Sequence, residues 1–152
     1  MTLSFVRQTA AALLCGLFLA QAAPAQDLFS PRLYVNDKVI TGYEVQQRAM
    51  FMEILGAPGD PEEAALKALI EDRLRQSEAE RLGIAASPEE IQSGMDEFAA
   101  RANLTAEALV VELAKVGVSA ETYRDFILSG LLWRTIVRAK FTGMVSVTDN
   151  EI

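Results

Sequence analysis

The chain has 152 residues, a formal net charge of −7 and no histidine. The missing histidine excludes a Ser-His-Asp catalytic site, a histidine metal ligand and a histidine pH switch. An acidic protein repels nucleic acids and anionic lipid surfaces, and no glycine-rich phosphate-binding motif occurs in the sequence. We therefore predict no nucleic-acid binding, no nucleotide binding, no cofactor and no metal.

The N-terminal residues have the parts of a secretory signal peptide. Arg7 supplies a positive charge, residues 10–20 are apolar and uncharged, and Ala23 and Ala25 are the small residues that a signal peptidase recognises. The apolar stretch is shorter than the roughly 20 residues that a membrane-spanning helix needs. We predict a signal peptide over residues 1–25, cleavage between Ala25 and Gln26, and no stable membrane insertion afterwards. An uncleaved membrane anchor is the alternative.

Residues 26–32 form a short leader, and residues 33–41 have the pattern of a small β-hairpin. This segment reads LYVNDKVIT, with two β-prone runs on either side of Asn36 and Asp37. Asparagine and aspartate tolerate the backbone conformations of tight turns, so the segment predicts two short strands.

From residue 41 onward the signals are helical. Side chains that cap helix N-termini stand before five apolar-periodic segments: Thr41, Asp60, Ser87, Thr105 and Ser119. The corresponding stop signals lie near Leu55, Gly83, Asn103, Gly117 and Phe141. We therefore predict a mainly α domain over residues 33–144, with five helices and a small N-terminal hairpin.

The last residues predict a continuation of the protein. Residues 145–148 are β-prone, and Thr148 with Glu151 forms a capping box just before the end of the sequence. A helix start signal without a helix behind it indicates that residues 145–152 begin a linker to a further domain. A frayed natural C-terminus is the alternative.

Two polar patterns have structural explanations. The acid pairs at residues 62–63 and 89–90 lie in first turns of predicted helices, where the helix dipole favours them. Asn103 and Thr105 match a glycosylation sequon, but they also serve as a helix stop and the next helix cap. We predict no catalytic residues in this chain.

Residues 49–55, AMFMEIL, are apolar on nearly all sides of the first predicted helix, with Glu53 as the exception. A surface helix needs an apolar stripe on one face only. This helix is therefore either buried on several sides or in contact with a partner, a substrate or a missing segment of the protein. Methionine suits surfaces that accept varied partners, so we hypothesise a binding surface at Met50, Phe51, Met52 and Leu55. A purely core role is the alternative.

The order of these motifs resembles the N-terminal domain of SurA-type periplasmic chaperones. The resemblance rests on VNDKVIT, ALIEDRLRQSEAERLGI, SPEEI and SAETYRDFILSGLLWRTIVRAKF, followed by VSVTDNEI, which is similar to the join to a parvulin-type prolyl isomerase domain. It covers roughly residues 34–152.

This resemblance implies a periplasmic chaperone domain that binds unfolded outer-membrane polypeptides and assists their folding. The family's catalytic residues belong to the parvulin domain, which would follow Ile152, so the resemblance implies no isomerase activity in this chain. The family also completes this domain with a helix from the far C-terminus, which fits the apolar residues 49–55. Two alternatives stay open, a secreted helical interaction module without clients and a positioning domain of a parent that acts chiefly as a prolyl isomerase.

Overall fold

The computed structural model describes residues 28–142. The predicted signal peptide with its cleavage site at Ala25 and Gln26, and the predicted linker at residues 145–152, lie outside the described residues. The elements in chain order are β1 (Pro31–Val35), β2 (Lys38–Thr41), α1 (Gly42–Ile54), α2 (Pro61–Arg81), α3 (Pro88–Ala100), α4 (Ala106–Lys115) and α5 (Ala120–Phe141). The predicted five-helix domain with a small N-terminal hairpin is confirmed.

The hairpin is antiparallel and is stabilised by the helices behind it. Leu33 pairs with Ile40 and Val35 pairs with Lys38, while Asn36 in the turn takes a left-handed φ of 57°. Ile40 is fully buried in a small apolar cluster that includes residues of α1 and α2. Two strands alone are marginal in water, so this packing keeps the hairpin in place.

All five predicted N-caps are present. The side chains of Thr41, Asp60, Ser87, Thr105 and Ser119 each accept a hydrogen bond from the backbone N–H three residues later. At Thr41 and Ser87 the glutamate at that third position also accepts from the cap's own N–H, which completes a capping box. The helix starts are therefore set by local sequence.

The helix ends are equally local. After α2, the N–H of Ile84 donates to the carbonyl of Ala79 at 2.8 Å and the N–H of Gly83 donates to that of Glu80 at 3.1 Å. This is a Schellman motif, which requires a left-handed residue at the position of Gly83, where φ is 66°. The same pair of hydrogen bonds ends α1, α3 and α4 at three other left-handed residues: Gly56, Asn103 and Gly117.

The main core lies between α1, α3, α4 and α5. Its centre is aromatic, since the ring of Phe51 lies 5.3 Å from that of Phe126 and 6.1 Å from that of Tyr123. Tyr123 is fully buried, and its hydroxyl donates to the carbonyl of Met95 at 2.5 Å. Aromatic pairs at these distances add to the burial energy, so this cluster fixes how α1 sits against α5.

Within residues 28–142, none of the helices has the length and apolar character that crossing a membrane requires.

Candidate functional site

The apolar residues of α1 are buried from two sides. Phe51 is 1% exposed in the aromatic centre of the main core. On the other side, Val45 and Met52 pack with the hairpin and α2 in the second cluster. Because α1 separates two apolar clusters, most of the unusual hydrophobicity of residues 49–55 has a core explanation.

One side of α1 is left open and forms a groove of about 630 Å³. From α1 it is lined by Val45, Gln46, Ala49, Met50 and Glu53, which recur at helical spacing along one face. The opposite wall comes from residues 28 and 32 and from the first turn of α2. The floor is apolar and the rim is polar, which is the usual composition of a binding site. We call this feature the α1 groove.

The rim of the α1 groove is mostly acidic. Arg32 donates to Glu62 across 2.8 Å, and these side chains are 57% and 62% exposed. Such an exposed pair contributes little to stability, so it is easily broken by a ligand. Asp60 caps α2 by accepting from the N–H of Glu63 at 2.9 Å, whereas Glu53 has no ion-pair partner within residues 28–142.

The structure separates the four residues of the predicted binding surface. Met50 lines the α1 groove, and its other side packs against the main core. Leu55 is 45% exposed at the end of α1, next to Ile54. Met52 is half-buried against the hairpin cluster, and Phe51 lies in the core. The four do not form one surface, and only Met50 faces the groove.

Sequence reasoning missed the buried polar side chains of α1. The Gln47 side chain donates through Nε2 to the carbonyl of Gly117 at 2.9 Å and accepts through Oε1 from the N–H of Ser119 at 2.7 Å. Gln47 thereby ties α1 to the turn between α4 and α5. The available signal was the run of three polar residues, Gln46, Gln47 and Arg48, that stands directly before the apolar residues 49–55.

Arg48 forms a buried ion pair with α2. Its Nη2 lies 2.6 Å from Oδ2 of Asp72, and both side chains are 5% exposed. Asp72 also accepts from Arg75 at 3.0 Å and from the hydroxyl of Ser129 on α5. Burial lowers the pKa of Arg48, and the Asp72 carboxylate opposes this effect. The network joins three helices and is satisfied except at Arg48 Nε, which has no partner in the described part of the chain.

The described residues offer no group of three or more His, Cys, Asp or Glu side chains that is suited to hold a metal ion.

No protein-family model matches the chain. It is similar to the protein named Chaperone SurA of Bordetella avium, with 29% identity over 126 residues, which is 78% of this chain and 25% of that protein. It is also similar to Chaperone SurA of Pseudomonas fluorescens, with 25% identity over 150 residues, which is 92% of this chain and 35% of that protein. The Chaperone SurA of Bordetella pertussis is 25% identical over 78% of the chain and 24% of its own length.

The chain carries a SurA-like domain. These matches extend over 78% to 92% of its residues, so the five helices and the hairpin belong to the SurA-like part. The chain spans about a quarter to a third of the length of the SurA proteins it matches. The SurA-like domain contains both the α1 groove and the Arg48–Asp72 network.

Proposed function

We propose that this chain is an exported chaperone domain that binds unfolded outer-membrane polypeptides in the periplasm and assists their folding. The observation that carries the proposal is the open α1 groove, with an apolar floor at Val45, Ala49 and Met50. The similarity to proteins named Chaperone SurA supports the chaperone role, and the resemblance described for the sequence supports the class of client.

The groove chemistry suits weak and broad recognition. Apolar contacts are non-directional, and a methionine floor adapts to side chains of different shape. The acidic rim favours client segments with lysine or arginine beside their apolar residues, because Glu53 lies there without an ion-pair partner. Since the sequence contains no nucleotide-binding motif, clients are bound and released by equilibrium alone.

Within this proposal the four predicted residues have different roles. Met50 contacts the client, and Leu55 extends the apolar surface beyond the end of α1. Phe51 and Met52 hold α1 in place from the two clusters beneath it. We further propose that the domain comprises residues 33–144, after a signal peptide and leader at residues 1–32, and that residues 145–152 lead towards a parvulin-like domain. Prolyl isomerisation would belong to that later domain.

The chaperone proposal is tested with residues 26–152, the chain without its predicted signal peptide. We expect this protein to slow the aggregation of a denatured outer-membrane barrel protein on dilution, as followed by light scattering. An unchanged aggregation rate even in large molar excess would contradict the proposal.

A groove-filling variant tests the location of the site. Gln46 is exposed and lines the α1 groove, so Gln46→Trp fills the groove without disturbing the core. We expect Gln46→Trp to lose the protective effect while its circular dichroism and urea midpoint stay unchanged. Gln92→Trp is the matched control, because Gln92 is exposed on α3 and lies outside the groove. Equal loss in both variants would place the activity elsewhere.

A further inference from the structure

A second cavity, of about 380 Å³, lies between α2, α3 and α5, with Arg48 of α1 also in its wall. This volume is within the range of small-molecule sites. Four arginines line it: Arg48, Arg75, Arg101 and Arg134. We call this feature the arginine cavity. It shares none of its lining residues with the α1 groove.

The arginine cavity is positively charged inside an acidic protein. Asp72 and Glu97 are the acidic residues in its lining. Asp72 is already shared by Arg48 and Arg75, and Arg75 also pairs with Glu71 at 2.9 Å. Within the lining itself the arginines exceed the acids by two, and the acids that act on them from outside the lining are Glu71 and Asp125. The chain as a whole carries −7, so this concentration of positive charge is local.

The arginine at the C-terminal cap of α3, Arg101, and the one from α5, Arg134, are the free cations of the cavity. Arg101 and Arg134 form no ion pair with any residue between 28 and 142. Arg101 lies over the ring of Phe98 at 5.8 Å from its centroid, and Phe98 lines the same cavity. A guanidinium fork beside a phenyl ring suits an anion that carries an apolar body.

A buried donor in the cavity wall is unsatisfied. Arg48 is 4% exposed, and its Nε has no hydrogen-bond partner among residues 28–142. Its guanidinium carbon lies 5.5 Å from the centroid of Phe126, which also lines the cavity. Leaving a buried charged donor unpaired is costly. Because this Nε is closed off from solvent, Arg48 acts on a ligand in the cavity through its positive charge and not through this donor.

From these observations we propose that the arginine cavity binds an organic carboxylate attached to a small apolar or aromatic group. The carboxylate is held by Arg134 and Arg101, and the apolar part packs against Phe98 and Phe126. The same chemistry is presented by a free aromatic acid and by an acidic side chain next to a phenylalanine in a polypeptide. This site is independent of the α1 groove and of the chaperone role.

The test is a titration of residues 26–152 with phenylacetate, in which binding is monitored through the backbone amide signals in NMR spectra. We expect saturable shifts in α3 and α5, centred on Gly94 and Gly130, which both line the cavity. Phenylacetamide has the same shape without the charge, and we expect it to bind at least about tenfold more weakly, since hydrogen bonds to charged groups are the stronger ones. Equal affinity for the two compounds, or no saturable shift, would overturn the proposal.

Two variants locate the carboxylate. Arg134→Gln should weaken phenylacetate binding about tenfold, whereas Arg138→Gln, one turn further along α5 and outside the cavity lining, should leave it unchanged. Gly130→Leu should abolish binding, because Gly130 lines the cavity and a Cβ there meets no other atom within 4 Å. The leucine side chain can therefore occupy the space that the ligand needs. Both Arg134 and Gly130 are exposed, so the fold is preserved. An equal effect of the two arginine variants would disprove the assignment.

A blocked tetrapeptide with adjacent Asp and Phe distinguishes the two sources. If it competes with phenylacetate and binds more tightly, the natural ligand is a polypeptide segment. If it does not compete, the ligand is a free aromatic acid. Shifts that the peptide causes along α1 instead would assign peptide binding to the α1 groove and restrict the cavity to small acids.

Discussion

The guanidinium of Arg48 donates to the carboxylate of Asp72 across 2.6 Å, and each side chain is only 5% exposed. The pair connects the middle of α1 to the middle of α2, and Ser129 connects it to α5. A buried ion pair of this kind gains from mutual attraction but pays for the loss of water around both charges. Its main effect is therefore on how the three helices are positioned relative to one another.

Removal of one partner of the Arg48–Asp72 pair should lower the free energy of unfolding more than removal of both partners. Arg48→Met leaves Asp72 buried with Arg75 as its remaining cation, and we expect a loss of about 3–5 kcal/mol in the free energy of unfolding. The double variant Arg48→Met with Asp72→Leu should recover most of that loss, as measured by urea denaturation. Arg32→Met, at the exposed pair with Glu62, should cost less than about 1 kcal/mol. A double variant that is no more stable to urea than Arg48→Met would contradict this explanation.

Gln47 should control the turn between α4 and α5. Gln47→Ala leaves the carbonyl of Gly117 and the N–H of Ser119 without their side-chain partner, and we expect a cost of about 1–3 kcal/mol. Amide hydrogen exchange at Ser119 should accelerate more than exchange in the centre of α2. The neighbouring variant Gln46→Ala removes an exposed side chain and should leave both the stability and the Ser119 exchange unchanged.

Phe51 should behave as a core residue. Phe51→Ala removes the ring that packs on Phe126 and Tyr123, so we expect a loss of about 3–5 kcal/mol. Leu55→Ala, four residues later and 45% exposed, should change the free energy of unfolding by no more than about 0.5 kcal/mol. Urea midpoints of both variants provide the comparison. Because Phe51→Asp would unfold the domain, Gln46→Trp is the better probe of client binding.

Acid should weaken the contact between the C-terminal ends of α2 and α5. Hydrogen bonds from Arg81 and then Lys140 lower the pKa of Glu78 from 4.5 to about 2. A carboxylate whose pKa is lowered in the folded state stabilises the protein at every pH above the pKa that it has in the unfolded state. This contribution is therefore complete above about pH 4.5 and is lost as the pH falls towards 2.

Lys140→Met removes the contribution of α5 to the acid response of Glu78, because Nζ of Lys140 lies 2.6 Å from the Glu78 carboxylate on α2. We expect a lower urea midpoint at neutral pH and a smaller change on acidification than in the parent protein. High salt should reduce the difference, since the pair is exposed. Lys115→Met, which breaks the pair with Glu112 inside α4, should leave the acid response unchanged. An unchanged acid response in Lys140→Met would show that Lys140 does not contribute to the effect and that Arg81 alone lowers the pKa of Glu78.

The elements of the fold were predictable because their limits depend on a few neighbouring residues. Thr41, Asp60 and Ser87 cap helices through bonds to residues three positions away, and Gly83 ends α2 within a six-residue motif. The sites were less predictable, because they depend on which faces of the helices meet. The apolar run at residues 49–55 indicated an unusual helix, but whether Phe51 or Met50 faces outward follows from tertiary packing alone.

The arginine cavity was even less predictable from the sequence than the α1 groove. Three of its arginines come from three different helices and the fourth, Arg101, from the residue that follows α3, and nothing in their spacing along the chain brings them together. Arg48 was detectable only as the one cationic residue of α1. The structure places Arg134 exposed at the cavity.

The local helix ends also affect how the domain reaches its native state. Since the caps and the Schellman motifs at Gly56, Gly83, Asn103 and Gly117 involve only short stretches of chain, the helix lengths do not depend on contacts between distant segments. Helical domains rich in local contacts fold in microseconds to milliseconds. A SurA-like domain with this construction thus gains its structure quickly, which shortens the time in which the aromatic centre around Phe51 is exposed to aggregation.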